Sequence, residues 1–322
     1  MHAPEFWQRD GWPARALAPV GALIEFAGRC RAAATTPYVA PVPVICVGNL
    51  TVGGAGKTPV AIAVAERLAA TGHAPVFLSR GYGGSLHGPV RIDAEVHGAG
   101  EVGDEPLLLA RAAPVVIARD RAAGARDAVA AGARAIVMDD GLQNPGLAKT
   151  RALVVVDGEA GFGNGRVFPA GPLRERLARG MARANAFVLM GPDRLNLAAR
   201  LAIQAPVLAA RLEPAAAPQL AGIRCLAFAG IGRPAKFFAT LRALGAEPVE
   251  AIALPDHHIF RPGEAEALVE RARRLGLTPV TTAKDQVRLP AALRDQVEIV
   301  HVRAIFDAPA ALDSLLAEAV RG

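Results

Sequence analysis

Cysteine and aromatic side chains are scarce in this chain, and the shortage of cysteine excludes two kinds of stabilised fold. The 322 residues include three cysteines, which lie far apart and form no C-x-x-C pair (Cys30, Cys46 and Cys225). Neither a disulfide framework nor a zinc site is therefore expected, and a reducing cytosolic setting fits. Aromatic residues are 5% of the chain, but hydrophobic residues reach 52%, which supports a core and excludes intrinsic disorder. Cys46 lies among the apolar residues of a strand-like run and is predicted to be part of that core.

A membrane-spanning segment and a cleavable signal peptide are also missing from the sequence. The charge-free run 16–24 is far shorter than the roughly 20 residues that a spanning helix requires. Residues 19–33 nevertheless have apolar side chains at helical spacing, and aromatic residues and arginines surround them (Phe6, Trp7, Trp12, Arg15, Arg29 and Arg31). Such a helix suits the surface of a membrane. A place against the protein's own core suits it equally, and the spacing leaves both open.

Basic residues outnumber acidic ones, which gives a net charge of +6 and an isoelectric point near 9.8. A basic balance indicates an acidic partner, and the composition alone leaves nucleic acid, an anionic membrane face and a phosphorylated substrate open. Excess arginine is also common on ordinary solvated surfaces.

A strand, a glycine-rich loop, a Lys-Thr pair and a helix follow one another in VICVGNLTVGGAGKT (residues 44–58) and the residues after it. This order is typical of a phosphate-binding P-loop, in which backbone N–H groups and a helix N-terminus surround an anion. Lys57 would reach the β- and γ-phosphates of a nucleotide, and the Thr58 hydroxyl would hold Mg²⁺. Thr51 replaces the first glycine of the usual pattern, so the loop is a variant. The expected nucleotide-binding residues are Thr51, Val52, Gly53, Gly54, Ala55, Gly56, Lys57 and Thr58.

Strand-like runs alternate with helical patterns along most of the chain. The runs are continuous and β-branched, which indicates strands buried on both faces of a parallel sheet (residues 74–79, 114–118, 135–138, 152–156, 186–190 and 206–210). The predicted fold class is therefore α/β, with a P-loop NTPase-like parallel sheet, flanking helices and a smaller C-terminal α/β domain. The predicted division is a membrane-associated helical segment, a P-loop domain, a linker and the smaller domain (residues 1–34, 35–212, 213–222 and 223–322).

Paired carboxylates follow the run 135–138, in Asp139-Asp140-Gly141. A strand end beside a P-loop places a carboxylate where it can bind Mg²⁺ directly or through water. The same tripeptide is also a common turn, which is the alternative interpretation.

Two further acidic or histidine clusters have more than one interpretation. In Gly103-Asp104-Glu105, a carboxylate could cap the following helix or accept a proton from an attacking hydroxyl, and both remain open. In Asp256-His257-His258, adjacent side chains of an extended segment point to opposite faces, so a shared metal is not expected. An Asp-His pair that assists proton transfer across a cleft is favoured over a structural histidine.

Together these motifs resemble the tetraacyldisaccharide 4′-kinases of lipid A biosynthesis. The likeness runs in order along most of the chain, in VGNLTVGGAGKTP, LSRGYGG, VGDEPLLLA, VMDDGLQ, VVDGEAGFGNGRVFPAGPLRE, FAGIGRPAKFF, PDHH and TTAKDQVRL. The resemblance implies transfer of the ATP γ-phosphate, with Mg²⁺, to the 4′-hydroxyl of an acylated glucosamine disaccharide 1-phosphate lipid, giving lipid IV-A. It also implies a peripheral or monotopic protein on the cytoplasmic face of the bacterial inner membrane. The anionic partners are then that lipid and that membrane surface, with no nucleic acid; no oligomeric state is predicted.

The resemblance also implies residue roles at matching positions. Lys57 and Thr58 would bind phosphates and Mg²⁺, and Asp139 and Asp140 would form the metal site. Asp104 would be the general base, with His257 as its helper. The residues implied to shape the site or contact substrate are Asn49, Tyr82, Gln143, Arg174 and Glu175.

Two other functional classes also contain a P-loop. A regulatory or metal-delivering GTPase would be expected to have an N-K-x-D guanine motif, whereas Lys284 and Asp285 are adjacent here. A peripheral membrane module that uses nucleotide only structurally is the third possibility. The fate of the ATP γ-phosphate distinguishes all three.

Overall fold

The computed structural model describes residues 4–321, which form two β-sheets with helices on their faces. The strands are β1 Val44–Gly48, β2 Pro75–Ser79, β3 Val90–Arg91, β4 Val115–Ile117, β5 Ala135–Asp139, β6 Arg151–Asp157, β7 Ala186–Met190, β8 Val207–Pro214, β9 Arg224–Ala229, β10 Glu247–Ala253, β11 Thr278–Thr282, β12 Glu298–Val300 and β13 Val302–Phe306. The α-helices are α1 Trp12–Ala33, α2 Lys57–Ala70, α3 Ala99–Val102, α4 Asp104–Leu109, α5 Arg121–Ala130, α6 Leu177–Met181, α7 Leu197–Ala202, α8 Pro234–Ala243, α9 Glu264–Arg274, α10 Ala283–Gln286 and α11 Pro309–Arg321. Short 3-10 helices span Glu5–Trp7, Pro218–Leu220 and Ala291–Gln296.

The larger sheet has nine strands in the order β13-β8-β7-β6-β1-β5-β2-β4-β3. Its neighbours pair in parallel except at the two edges, where β3 and β13 run antiparallel to β4 and β8. Every residue of β1, β2, β5 and β7 is buried, because helices cover both faces of the sheet. The continuous apolar runs predicted as strands form β2, β4, β5, β6, β7 and β8 of this sheet. The predicted fold class is confirmed.

The smaller sheet has four strands in the order β10-β9-β11-β12, all parallel. Phe237, Phe238 and Leu241 of α8 pack on one side of it, and Ala265, Val269 and Ala272 of α9 pack on the other. Each side therefore has its own apolar cluster, as expected for a separate α/β unit.

The end of the chain returns to the larger sheet, which corrects the predicted smaller domain of residues 223–322. The apolar run VEIVHV (residues 297–302) divides between β12 of the smaller sheet and β13 of the larger one. Helix α11 then packs in the same apolar cluster as α2. The predicted linker also changes, since β8 extends to Pro214. The chain passes between the two units after β8 and again between β12 and β13. These two connections lie side by side, and the Ala215 N–H of the first donates to the His301 carbonyl of the second at 2.8 Å.

Helix α1 has a narrow buried face and a broad exposed apolar face. Ala14, Gly21 and Glu25 are buried, and a Cβ on Gly21 would lie 2.7 Å from the Val167 carbonyl oxygen, so the helix approaches the loop 161–175 closely. The exposed face contains Trp12, Val20, Leu23, Ile24 and Phe26. Within residues 4–321, no helix is long and apolar enough to cross a membrane. The buried face of α1 thus packs on the protein itself, and contact of the exposed face with a membrane stays a prediction.

The three cysteines are predicted to differ sharply in reactivity. Cys46 lies in the core as expected and Cys225 is also buried, whereas Cys30 is exposed on α1. Burial raises the pKa of the Cys46 thiol to about 11 and also raises the pKa of Cys225, so few thiolates form at either position. We expect one thiol to react rapidly with an aromatic disulfide reagent at pH 8, and all three after denaturation. The Cys30→Ser variant should lose the rapid reaction; a rapid reaction that survives in it would contradict the burial of the other two.

Candidate active site

The P-loop connects β1 to α2 and is shaped by its glycines. Gly53 and Gly56 have φ values of 118° and 84°, a backbone region that favours glycine. Lys57 begins α2, and its side chain and that of Thr58 are buried against the loop. Thr51 needs no such freedom, because it forms an extended bridge with Leu173. The threonine at the first glycine position of the motif is thus compatible with the fold of this loop.

The strand-end carboxylates lie beside the P-loop because β5 pairs with β1. Asp139 is opposite Val47 in the register, and the Asp140 N–H donates to the Val47 carbonyl at 2.9 Å. Arg174 Nη1 and Nη2 donate to the two carboxylate oxygens of Asp140 at 2.7 and 2.9 Å. Lys57 Nζ is 3.7 Å from Asp140 Oδ2. Burial alone would raise the pKa of Asp140, but Lys57 and Arg174 outweigh it and lower that pKa.

Asp139 is in the opposite electrostatic situation. It is only 2% exposed, and its Oδ1 has no hydrogen-bond partner among the described residues. Burial, reinforced by the charges of Glu105 and Asp140, raises the pKa of Asp139 to about 8. A buried carboxyl oxygen without a partner and the buried Thr58 hydroxyl are oxygen donors of the kind that Mg²⁺ prefers. Asp139 therefore suits the metal better than Asp140, whose oxygens Arg174 already occupies.

Asn49, Gln143 and Glu175 form a buried network next to the P-loop. Gln143 Nε2 donates to the Asn49 carbonyl and to Glu175 Oε1, both at 3.0 Å. Arg183 donates to the same Glu175 oxygen and, at 3.2 Å, to the Leu142 carbonyl. Asn49 is fully buried, so the direct substrate contact implied by the resemblance stays a prediction. Arg183 was not identified from the sequence, where it is one of many arginines in a helical region.

Tyr82 is placed very differently, with 73% of its surface exposed. Its backbone packs on the turn that begins α4, where a Cβ on Gly103 would lie 2.4 Å from the Tyr82 carbonyl oxygen. The loop that contains Tyr82 therefore lies next to Asp104, the first residue of α4.

Asp104 joins the two α/β units. It is 7% exposed, and its Oδ2 lies 3.0 Å from Nδ1 of His257, which belongs to the loop after β10. Arg288 donates to the same oxygen through Nε, at 3.1 Å, and through Nη2. Burial alone would raise the pKa of Asp104, but the His257 hydrogen bond and the Arg288 charge hold it well below its usual range. The hydrogen bond to Asp104 in turn raises the pKa of His257.

Further contacts describe the surroundings of the two clusters whose roles the sequence left open. Gly103 is the N-cap of α4, and Asp104 Oδ1 accepts the Glu105 N–H at 2.9 Å, whereas its Oδ2 meets His257 and Arg288 of the other unit, which a helix cap alone does not require. His258 turns away from His257 and lies 2.9 Å from the Glu264 carboxylate. Among residues 4–321, no group of three or more His, Cys, Asp or Glu side chains is arranged to hold a metal.

Two charged residues near Asp104 received no role from the sequence. Lys284 pairs with Glu105 at 2.9 Å, and Arg288 pairs with Asp104. Both belong to the run TTAKDQVRL, whose likeness to the family was the available signal. Their function depends on contacts with α4, which is far away in the sequence.

A P-loop, a carboxylate pair at the adjacent strand end and an Asp-His contact between two α/β units define a P-loop kinase of two units. A family model described as tetraacyldisaccharide-1-P 4′-kinase matches residues 13–321. The chain belongs to this family, and the resemblance inferred from its motifs is confirmed.

Known relatives of the family cover nearly the whole chain. The tetraacyldisaccharide 4′-kinase of Rhodospirillum rubrum is 53% identical over 327 residues, covering 100% of this chain and 99% of that protein. The enzyme of Rhodospirillum centenum is 55% identical over 329 residues, with 100% and 98% coverage. The crystal structure of LpxK from Aquifex aeolicus, described as a complex with ATP, has a TM-score of 0.77 at 25% identity and covers 95% of this chain and 99% of its own.

The turn between the Tyr82 loop and α4 leads to a prediction. Gly103 has φ 89°, and an added Cβ would collide with the Tyr82 carbonyl. We expect Gly103→Ala to lower the free energy of unfolding by about 1–3 kcal/mol and to reduce turnover, because Asp104 would shift. Gly100→Ala is the matched control, since a Cβ there meets nothing within 4 Å. Denaturant unfolding and kinase assays that do not distinguish the two variants would contradict the proposed geometry.

Proposed function

We propose that this chain transfers the ATP γ-phosphate to the 4′-hydroxyl of a tetraacylated glucosamine disaccharide 1-phosphate, giving lipid IV-A, with Asp104 and His257 assisting proton removal. The observation that carries the residue assignment is the 3.0 Å contact between Asp104 Oδ2 and His257 Nδ1 across the two units. Membership of the kinase family supports the reaction. The Asp104–His257 contact supports proton transfer at the junction of the two units.

The P-loop would hold the nucleotide for this reaction. Lys57 and the N-terminus of α2 supply positive charge at the phosphates, and Arg174 and Lys57 keep Asp140 ionised. Thr58 and Asp139 would hold Mg²⁺, which supplies further positive charge to the phosphates when it is bound.

Asp104 would act late in the transfer rather than as a strong base. The 4′-hydroxyl oxygen forms a bond to the γ-phosphorus, the bond from that phosphorus to the ADP oxygen breaks, and the hydroxyl proton passes to Asp104. An aspartate whose pKa is lowered accepts this proton only as the hydroxyl becomes acidic in the transition state. Oδ1, with one N–H partner, is the oxygen better placed to receive it.

The exposed face of α1 supports a place at the inner membrane. Val20, Leu23, Ile24 and Phe26 present apolar surface, and Arg29 and Arg31 follow on the same helix. Apolar surface beside arginines suits a helix that lies in an anionic interface. We therefore place the chain as a peripheral or monotopic protein at the cytoplasmic face, where an acylated substrate is accessible.

The Asp104–His257 pair is tested by following the labelled γ-phosphate of ATP onto the acylated disaccharide. Each alanine variant is expected to lose about 10²-fold or more in turnover, and the double variant little beyond the worse single one. Lys57→Ala should abolish transfer, and His258→Ala, which removes the adjacent histidine, should stay near the parent. Fully multiplicative losses in the double variant would contradict a joint role. Label released only as inorganic phosphate by the parent would contradict the kinase reaction itself.

The membrane proposal is tested by cosedimentation with vesicles that contain an anionic phospholipid. The double variant Leu23→Ser/Phe26→Ser should bind at least about tenfold more weakly, since each buried side chain contributes roughly 1.5–3 kcal/mol. Ile203→Ser is the control, because Ile203 is equally apolar and exposed but lies far along the chain, after α7. Transfer to detergent-dispersed substrate should continue in both variants. Equal vesicle binding by the two would exclude α1 as the membrane contact.

A further inference from the structure

A short segment of the smaller unit presents charged side chains to α4 of the larger one. This segment, residues 282–288, contains α10 and the turn after it. Lys284 Nζ lies 2.9 Å from Glu105 Oε1, and Arg288 pairs with Asp104. At the edge of the same contact, Arg111 Nη2 donates to Gln286 Oε1 at 2.6 Å. Consecutive carboxylates at the start of α4 thus meet two cations from one segment.

Arg288 is held in place by its own unit before it meets Asp104. Its side chain is 5% exposed, and its Nη1 donates to the Gly230 carbonyl at 3.0 Å and to Asp285 Oδ1 at 3.1 Å. Asp285 is itself fully buried and accepts from the Thr282 hydroxyl at 2.6 Å and from the Gly230 N–H at 3.0 Å. A planar guanidinium fixed at one edge has little freedom in the direction of its remaining donors.

The remaining edge of the guanidinium meets Asp104, and its Nη2 also lies 3.4 Å from His257 Nδ1. Nε and Nη2 both donate to Oδ2, the oxygen that also contacts His257. Oδ1 keeps a single partner, the neighbouring Glu105 N–H. The smaller unit therefore engages one side of the carboxylate and leaves the other side to the larger unit.

We propose that Arg288 is a positioning residue for phosphoryl transfer: anchored by Asp285, it orients the Asp104 carboxylate when the smaller unit is seated, so that Oδ1 faces the acceptor hydroxyl. This inference rests on the proposed role of Asp104 and adds a means by which seating of the smaller unit prepares the base. A charged pair buried on both sides is well suited to such coupling, because separating its members leaves an uncompensated charge.

The groups around Asp104 define the expected pH dependence. The charged and titratable side chains facing it, directly or through Arg288, are His257, Lys284, Arg288, Glu105 and Asp285. Burial acts to raise the pKa of Asp104, and His257 and Arg288 act to lower it. Removal of Arg288 takes away a charge that lowers the pKa of Asp104, so the effect of burial raises that pKa. The deprotonated Asp104 carboxylate is the active form. As the pH is lowered, the variant should therefore lose activity at a higher pH than the parent does.

The test compares Arg288→Met and Arg288→Lys with the parent. We expect Arg288→Met to lower kcat at least about tenfold at neutral pH while the KM for ATP changes less than about twofold. The acidic limb of its pH–rate profile should move to higher pH by about one unit or more. Arg288→Lys keeps the charge but not the forked geometry of the guanidinium. It should recover part of kcat, and the acidic limb of its pH–rate profile should lie close to that of the parent. Arg271→Met is the control, because it breaks an exposed pair with Glu250 in the same unit and should leave kcat and the pH profile unchanged.

The Asp104→Asn background separates orientation of the base from mere attachment of the units. There Arg288→Met should cause little further loss, because the group it orients is already absent. An equal loss in both backgrounds with an unchanged acidic limb would overturn the inference. If Arg288→Met does not fold, as judged from its thermal melt, Arg288→Lys still decides, because an unchanged kcat in that variant would also overturn the inference. Near-normal turnover of Asp104→Asn alone would instead remove the proposed role of Asp104.

Discussion

The parallel pairing of β1 with β5 is the constraint on which the candidate site depends. Their register places Val47 opposite Asp139, so the glycine loop after β1 and the carboxylates after β5 leave the sheet at the same edge. Asp140 then turns back through a left-handed backbone conformation, with φ 52°, and meets Lys57 and Arg174. A one-residue change in register would move the carboxylates to the opposite face of the sheet. The phosphate loop and its acidic partners are thus one consequence of strand pairing.

The two neighbouring carboxylates have different chemistry because their surroundings differ. Asp140 has cations on both of its oxygens, which lower its pKa, whereas Asp139 is buried with an oxygen that has no partner among the described residues. The same rule operates at Asp104, where burial and cations oppose each other and the cations prevail. Local charge, more than residue type, therefore sets the direction in which the pKa of each of these three acids moves.

One loop connects helix α1 with the P-loop. On one side, the loop 161–175 packs against α1 at Gly21, and its Pro169 carbonyl accepts the Nε1–H of Trp7, in the 3-10 helix before α1, at 3.0 Å. On the other side, the Pro172 carbonyl accepts the Val52 N–H at 2.7 Å, and Arg174 Nε donates to the Thr51 carbonyl at 3.1 Å. A helix resting on a lipid surface would therefore be joined to the P-loop through a single packed segment.

The sequence by itself determined the P-loop, a parallel sheet of buried strands and the acids at a strand end, because these signals are local in the chain. It also pointed to Asp104 and His257, through their resemblance to a family. Only the tertiary structure decided that residues 298–306 divide between two sheets, since a β-branched run does not specify its pairing partner. It alone placed Asn49 and Glu175 in a buried network and brought Arg288 to Asp104, 184 positions away. Such contacts depend on how two separate cores are seated together, which residue spacing does not encode.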